Sequence, residues 1–382
     1  MVGLIKKKLG SNPNDAYYLV NGKKIYSRLY AMTLAQQMCK TEDPNELWGK
    51  IRFVYPIEHK GPEPQKSIRE LYIQRAKQLR ENNEYIRIWA SGGADSTNTI
   101  NSFYQAGVQP DELATYVQYP GEVNASQNSE IDFSLRPFLK KVKHWWPNIK
   151  IKFYDVLPEH YNWYSKNAIE HWVAYTQLHP PAFHSQIVYE LYPELQELGE
   201  KYQTADIYSG PDFFIGVDKK GWYYRFLDKG FNDSFNAPYQ TYFYAGPEAK
   251  DLTLKLAYNA KKYIMKRAEN MNIPFEDQIL GEWGIKSSST PEMDFWDWDN
   301  KDYDFIKKHN KWVNGLLNYG SKGSLRFQNM ISTITGQTTL MNMLSFYKQL
   351  NNKNPHWFHD GNIINDWVGM RTEKVYFEIE KL

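Results

Sequence analysis

Cysteine is nearly missing from this chain: Cys39 stands alone among 382 residues. An intramolecular disulfide, a cysteine-rich zinc site and cysteine-pair redox chemistry are thereby excluded. Long apolar runs are missing as well. The opening stretch "MVGLIKKKLGSNPND" holds no signal-peptide core, and no later segment is apolar enough to span a bilayer, so the cytoplasm is the expected address and no membrane partner is expected. An excess of one charge sign is the third absence. The net charge of +2 arises from 46 basic and 44 acidic residues, which speaks against a general nucleic-acid binder. Basic runs at 5–9 (IKKKL), 139–146 (LKKVKHWW) and 259–267 (NAKKYIMKR) read first as solvated helix faces.

Aromatic residues are abundant, with 13 Trp and 29 Tyr, enough both to fill cores and to line pockets for planar ligands. The length suits two domains, or one domain with sizeable additions. Residues 16–27 (AYYLVNGKKIYS) predict a hairpin around Asn21-Gly22. After the break at 61–65 (GPEPQ), Ser67 and Glu70 form a capping box, and Ile68, Leu71, Tyr72, Ala76 and Leu79 mark the buried face of a helix.

From residue 81 onward strands and helices alternate. Strands are expected at 84–90, 113–119, 149–156 and 205–210. Helices are expected from Asp95 to Ala106, closed by Gly107, and over 129–146 with an interruption at Pro137. This order predicts an α/β fold: an open parallel sheet with helices on both faces. A hairpin-like stretch at 215–226 interrupts it. Pro247 is expected to start a helix in which Leu252, Leu256, Ala260, Tyr263 and Ile264 share a face. The organisation that follows is an N-terminal hairpin and helices (1–80), a central α/β domain (81–270) and a C-terminal accessory region (271–382). A long aromatic insertion at 158–203 sits inside the central domain.

One segment joins the smallest residues to a strand end: "RIWASGGADSTNTI", residues 87–100. Ser91, Gly92 and Gly93 can curl the backbone so that successive amides form an anion nest. The following helix start adds its dipole field. Ser96 and Thr97 offer hydroxyl donors, and Asp95 can accept from the loop or hold magnesium indirectly. Side chains at Gly92 and Gly93 would push a phosphate away. Other phosphate loops fit worse: the nearest approach to a triphosphate P-loop, 315–322 (GLLNYGSK), has Ser and Lys in the wrong order, and no dinucleotide glycine pattern follows any strand.

The stretch SGGADS after a strand resembles the signature of the PP-loop ATP pyrophosphatases, the adenine-nucleotide alpha-hydrolase-like superfamily of N-type. That group includes asparagine synthetase, GMP synthetase, NAD synthetase and tRNA-modifying ligases. Residues 67–96 and 242–263 also resemble uncharacterised asparagine synthetase-like PP-loop proteins of bacteriophages, for which a host cytoplasm would be the setting. The resemblance implies ATP and Mg2+ as cofactors, and ATP or pyrophosphate contacts from Ser91, Gly92, Gly93, Asp95, Ser96, Thr97 and Gly210. It places adenine near Gln118 and Tyr119. By its partial match to a second acidic motif, 208–213 (YSGPDF) makes Asp212 a metal ligand beside Asp95. A cation should reach the leaving group, with Lys219, Arg225 and Lys255 as the candidates and Lys229 and Lys286 also open.

Further absences narrow the chemistry the resemblance implies. Valine at position 2 leaves no N-terminal cysteine nucleophile for ammonia release, and the lone Cys39 disfavours reductive and thiolating chemistries. His160, His171, His179 and His184 lack metal-ligand spacing, and 292–304 (EMDFWDWDNKDYD) lacks the glycine and terminal glutamate of a calcium loop. The expectation is therefore an AMP-forming, ligase-like enzyme. It adenylates an oxygen of a small-molecule acceptor, releases pyrophosphate and passes the activated group to a nitrogen nucleophile. A non-catalytic nucleotide binder, or a PP-loop enzyme acting on tRNA or DNA bases, stays open beside it; the basic runs lend nucleic acid weak support. Acceptor, nucleophile and oligomeric state are not written in the sequence.

Overall fold

The computed structural model describes residues 16–26, 50–117, 135–155, 192–208, 213–226, 240–270, 281–285 and 372–378, with single positions at 31, 34, 35, 38 and 131. In chain order the strands are β1 (Tyr17–Val20), β2 (Lys23–Ile25), β3 (Ile51–Val54), β4 (Tyr85–Trp89), β5 (Glu112–Val117) and β6 (Lys150–Asp155). They continue with β7 (Thr204–Tyr208), β8 (Phe213–Asp218), β9 (Gly221–Phe226), β10 (Gln240–Tyr242), β11 (Gly281–Ile285) and β12 (Val375–Glu378). The helices are α1 (Ile68–Glu81), α2 (Ala94–Gln105), α3 (Arg136–Trp145), α4 (Glu194–Lys201) and α5 (Lys250–Asn270).

The central sheet has five parallel strands in the order β10-β7-β4-β5-β6. Counted among themselves in chain order they read 5-4-1-2-3, the doubly wound arrangement in which crossovers reverse direction beside the first strand. One face is apolar. Ile86, Ile88, Leu113, Ala205 and Ile207 pack against Leu71, Ala76 and Leu79 of α1, Ile100 and Phe103 of α2, and Phe138, Leu139 and Val142 of α3. The other face meets the region of α4, where Tyr154 packs edge-on against Tyr192 at 4.9 Å and Lys152 pairs with Glu194 at 3.6 Å. The expected α/β fold is thus present.

That second face carries charge into the interior. Arg87 and Glu112 are register partners on adjacent strands and both are fully buried. Glu112 Oε1 accepts from Arg87 Nε at 2.9 Å and from the Tyr154 hydroxyl at 2.6 Å, while Oε2 accepts from the Tyr85 hydroxyl at 2.9 Å and pairs with Lys150 at 2.9 Å. Four donors saturate one carboxylate, the condition under which a buried ion is tolerated. Burial pushes the Glu112 carboxyl upward, but Arg87, Tyr154 and Lys150 together outweigh it and hold it below the ordinary carboxylate range.

Two antiparallel sheets flank the core. β2-β1-β3 is built on the expected hairpin, with Asn21 and Gly22 both at positive φ (47° and 75°) as a type I′ turn requires. The order β11-β8-β9-β12 shows that the stretch at 213–226 does not merely interrupt the α/β order but founds a sheet completed by the C-terminal strand. Pro137 lies in the first turn of α3, where its missing amide donor costs nothing; the expected helical stretch before it, over 129–134, lies outside the described residues but for residue 131. Pro247 precedes α5 by a turn, because the segment from Phe243 to Ala249 is needed as a connection. Leu252, Ala260 and Ile264 of α5 are buried as expected, with Leu256 half-buried; the Tyr263 side chain, most of the aromatic insertion, the grouped histidines and the acidic run lie outside the described residues.

Removing one member of a buried ion pair strands the other, so Glu112→Ala should lower the unfolding free energy by about 3–5 kcal/mol in urea titrations. The Arg87→Met/Glu112→Leu double variant should recover most of that loss. The Glu112 carboxyl lies lower folded than its reference value of 4.5, so its contribution is complete above that pH and fades as pH falls through the folded value. The double variant should accordingly unfold with a shallower acid limb than the wild type.

Candidate functional site

Strand β4 ends in the middle of the parallel sheet, and its ladder runs one residue further through the Ala90 amide to the Ala114 carbonyl at 2.8 Å. Residues 91–93 then turn the chain into α2. Ser91 is exposed, Gly92 is buried at φ +79°, and Gly93 is the N-cap in an extended conformation. A Cβ at Gly92 would lie 2.7 Å from the Leu135 amide nitrogen and 3.0 Å from its Cα. The second glycine requirement expected from phosphate access is therefore joined by a first one from packing: the chain entering α3 presses on the loop.

Two serines hold the turn. The Ser91 amide donates to Ser96 Oγ at 3.2 Å, the Gly93 amide donates to Ser91 Oγ at 3.2 Å, and the Ser96 hydroxyl donates to the Gly93 carbonyl at 3.2 Å. The loop amides thus meet hydroxyl oxygens at the long end of hydrogen-bond range. An anionic oxygen, a stronger acceptor, could replace either.

The start of α2 differs from that of α1. At α1, Ser67 and Glu70 close the terminus reciprocally: the Glu70 amide donates to Ser67 Oγ at 3.2 Å and the Ser67 amide to Glu70 Oε2 at 2.8 Å. At α2 the cap is glycine, which makes no side-chain cap bond. Such a terminus presents donors and a positive dipole end to an anion.

The first turn of α2 is clamped from behind. The Tyr244 hydroxyl donates to the Asp95 carbonyl at 3.1 Å and accepts from Asn98 Nδ2 at 2.6 Å. Tyr72 of α1 packs edge-on against Tyr244 at 6.0 Å. Burial first, and the Asp95 carboxylate second, push both phenols well above the usual tyrosine range, so both stay protonated donors at neutral pH. The connection that carries Tyr244 is itself tied down. Arg75, buried, donates to the Phe243 carbonyl at 3.2 Å and the Tyr242 carbonyl at 3.0 Å, and His59 Nε2 bonds the Gly246 carbonyl at 2.8 Å. Burial lowers the His59 pKa, which leaves its ring neutral and its N–H available to that carbonyl.

Ser91, Gly92, Gly93, Asp95, Ser96 and Thr97 are therefore brought together at one strand end. Thr97 is buried, and its amide makes the first helical bond, to the Gly93 carbonyl at 3.1 Å. Asp95 is half-buried with Oδ1 shielded from solvent. Magnesium needs one or two carboxylates completed by substrate phosphates, and Asp95 is the carboxylate that the first turn of α2 carries. Among the described residues no group of three or more His, Cys, Asp or Glu forms a metal cluster. Gly210, Asp212, Gln118, Tyr119, Lys229 and Lys286 lie outside the described residues. Lys219 occupies the exposed turn between β8 and β9. Lys255 pairs with Glu63 at 2.6 Å and donates to the Pro64 carbonyl at 3.0 Å, and Arg225 Nε donates to the Thr372 carbonyl at 2.5 Å. The described contacts of those two cations brace the N- and C-terminal segments. Tyr244, Asn98, Tyr72 and Leu135 support the loop, a role sequence reasoning did not assign them, although Tyr72 and Tyr244 lie inside the stretches 67–96 and 242–263.

No family model matches the chain, and no curated protein matches it. Among solved structures, NMN synthetase from Francisella tularensis aligns with 72% of this chain and 96% of its own, at 12% identity and a TM-score of 0.28. A likeness that distant adds no argument about activity, so the strands and the loop carry the reading.

The two reasons for glycine at 92 can be separated from ordinary left-handed strain. Gly107 also has positive φ (+69°), but a Cβ there would meet nothing within 4 Å. Gly107→Ala should cost only the backbone penalty of about 1–2 kcal/mol. Gly92→Ala should cost clearly more in the same chemical denaturation series, because the Leu135 backbone must also move.

Proposed function

We propose that this chain is an ATP-using, AMP-forming enzyme whose glycine loop and α2 terminus seat the triphosphate tail. The observation that carries the reading is the glycine-capped start of α2 at the reversal point of a doubly wound sheet. A substrate oxygen attacks the α-phosphorus, the bond to the bridging oxygen breaks, and pyrophosphate departs with that electron pair. A nitrogen nucleophile then displaces AMP from the activated group. Negative charge grows on the leaving pyrophosphate, where the α2 amides, Ser91 and Ser96 are positioned donors. Bound magnesium, held by Asp95 together with phosphate oxygens, would supply charge neutralisation there. Tyr244 and Asn98 hold the first turn of α2 in place, so an anion has only to displace the weak serine acceptors within the loop. The acceptor is assigned to the small-molecule class on the same reading, with the aromatic insertion and C-terminal region forming its pocket. No described helix is long and apolar enough to cross a membrane.

Nucleotide binding without turnover is a second reading, favoured by the commitment of Lys255 and Arg225 to structural contacts. Calorimetric titration with a non-hydrolysable ATP analogue, with and without magnesium, tests the shared premise. Asp95→Asn and Ser96→Ala should each weaken binding about tenfold or more, as expected for losing a charge-assisted contact. Pyrophosphate release across amines, amino acids and nucleosides separates the two readings. Silence with intact affinity supports the binder, and absence of nucleotide binding overturns both.

A further inference from the structure

The connection between β10 and α5 carries Tyr244, and side chains from three directions hold it. Arg75 of α1 donates to the Tyr242 carbonyl at 3.0 Å and to the Phe243 carbonyl at 3.2 Å. Thr253 of α5 donates from Oγ1 to the Tyr244 carbonyl at 3.2 Å. His59 Nε2 reaches the Gly246 carbonyl at 2.8 Å. A carbonyl only accepts, so Nε2 carries the proton and the ring donates. Arg75 and Thr253 sit on regular helices. His59 lies in the irregular stretch between β3 and α1, yet it is only 5% exposed.

Gly246 marks the point where the connection turns toward α5. Its φ of +127° favours glycine, and its carbonyl also accepts from the Ala249 amide at 3.2 Å. The His59 bond is the shorter of the two. His59 is in turn held by the second, antiparallel sheet. The Tyr224 hydroxyl of β9 accepts from the His59 amide at 2.8 Å and donates to the His59 carbonyl at 3.2 Å. One phenol oxygen thus fixes both backbone polar groups of the histidine. Tyr224 is fully buried, packed against Phe226 at 5.5 Å and against Phe377 of the C-terminal strand at 6.4 Å.

Hydrogen bonds therefore lead from the antiparallel sheet through His59 to Gly246. Only Ala245 separates that residue from Tyr244, whose hydroxyl holds the Asp95 carbonyl at the start of α2. We infer that His59 is a positioning residue for the glycine loop, through which the antiparallel sheet sets how firmly Tyr244 holds the start of α2. Its bond belongs to no helix and no strand ladder, so its loss leaves both intact while the turn beyond Tyr244 loses its shorter tether. The net worth of one hydrogen bond corresponds to about a fivefold shift in an equilibrium, which bounds what His59 passes to the loop. The effect on ligand binding rests on the nucleotide reading of that loop; the effect on the order of the loop does not.

Hydrogen–deuterium exchange of the ligand-free protein, read at peptides covering residues 91–97, tests the positioning. His59→Leu should speed exchange there up to about fivefold. His59→Gln, whose side-chain amide can still donate, should restore most of the protection. Tyr224→Phe should reproduce the effect more weakly, and combined with His59→Leu it should add nothing. Tyr376→Phe removes a hydroxyl of the same sheet that is bonded elsewhere, to Asp218 at 2.8 Å, and should leave residues 91–97 unchanged. Should His59→Leu fail to fold, Tyr224→Phe against Tyr376→Phe decides by the same readout. Affinity for the ATP analogue should fall in the same order across the variants. Unchanged exchange in His59→Leu, no recovery in His59→Gln, additive effects in the double variant, or equal speeding by Tyr376→Phe would each overturn the inference. Absence of analogue binding by the wild type would overturn the nucleotide reading instead, and the exchange series would still decide the role of His59.

Discussion

The backbone of Leu135 occupies the space that a side chain at position 92 would need. Loop, sheet and third helix meet in that contact. β4 delivers the loop to the middle of the sheet, beside the reversal of crossovers where sheets of this order bind their ligands. Crossover geometry alone would leave residues 91–93 free to adopt many shapes. Pressure from Leu135 on one side, serine hydroxyls within, and the Tyr244 bond to the Asp95 carbonyl behind reduce them to one. A loop that must present donors without reorganising needs this confinement, because donors that have to be oriented during binding lose the advantage of being fixed.

The confinement has a cost in polarity that the molecule offsets locally. α2 is a buried helix with little apolar character: Ser96, Thr97, Asn98, Thr99, Asn101 and Ser102 are all inside. Helix hydroxyls satisfy themselves by bonding back one turn, as Thr99 does to the Asp95 carbonyl at 3.0 Å and Ser102 to the Asn98 carbonyl at 2.7 Å. Ile100 and Phe103 then anchor the helix to the core. The opposite face of the sheet follows the same rule with full charges, where the Glu112 carboxylate gathers Arg87, Lys150, Tyr85 and Tyr154. In both places the buried oxygens and hydroxyls named find partners close by, the form in which desolvation is tolerable.

What could be read in advance follows from the range of the interaction. Asn21-Gly22, the Ser67–Glu70 box, Gly107 and the alternation of strands and helices act within a few residues, and each was legible. Arg75 was not. Set among apolar neighbours on α1, it passes for a solvated position, yet it is buried against carbonyls of Tyr242 and Phe243, far along the chain. Glu112 and Arg87 look like ordinary strand charges until the register places them side by side. At the site, the glycines, Asp95 and Ser96 could be named from spacing and small size, whereas Leu135, Tyr244 and Asn98 reach the loop only through tertiary packing.

Helix α3 serves two masters, and its composition reflects both. Its buried side must be apolar to lie on the sheet, and Phe138, Leu139 and Val142 meet that need. Its start must come close enough to Gly92 to fix the loop, which favours a proline in the first turn, where the ring preorganises the backbone without losing a bond. Neither demand constrains the solvent side, where any soluble residues would do and a mixture of signs would be the neutral choice. A run of cations without a single acid departs from that choice. It also places like charges within a turn of one another, which weakens the helix slightly.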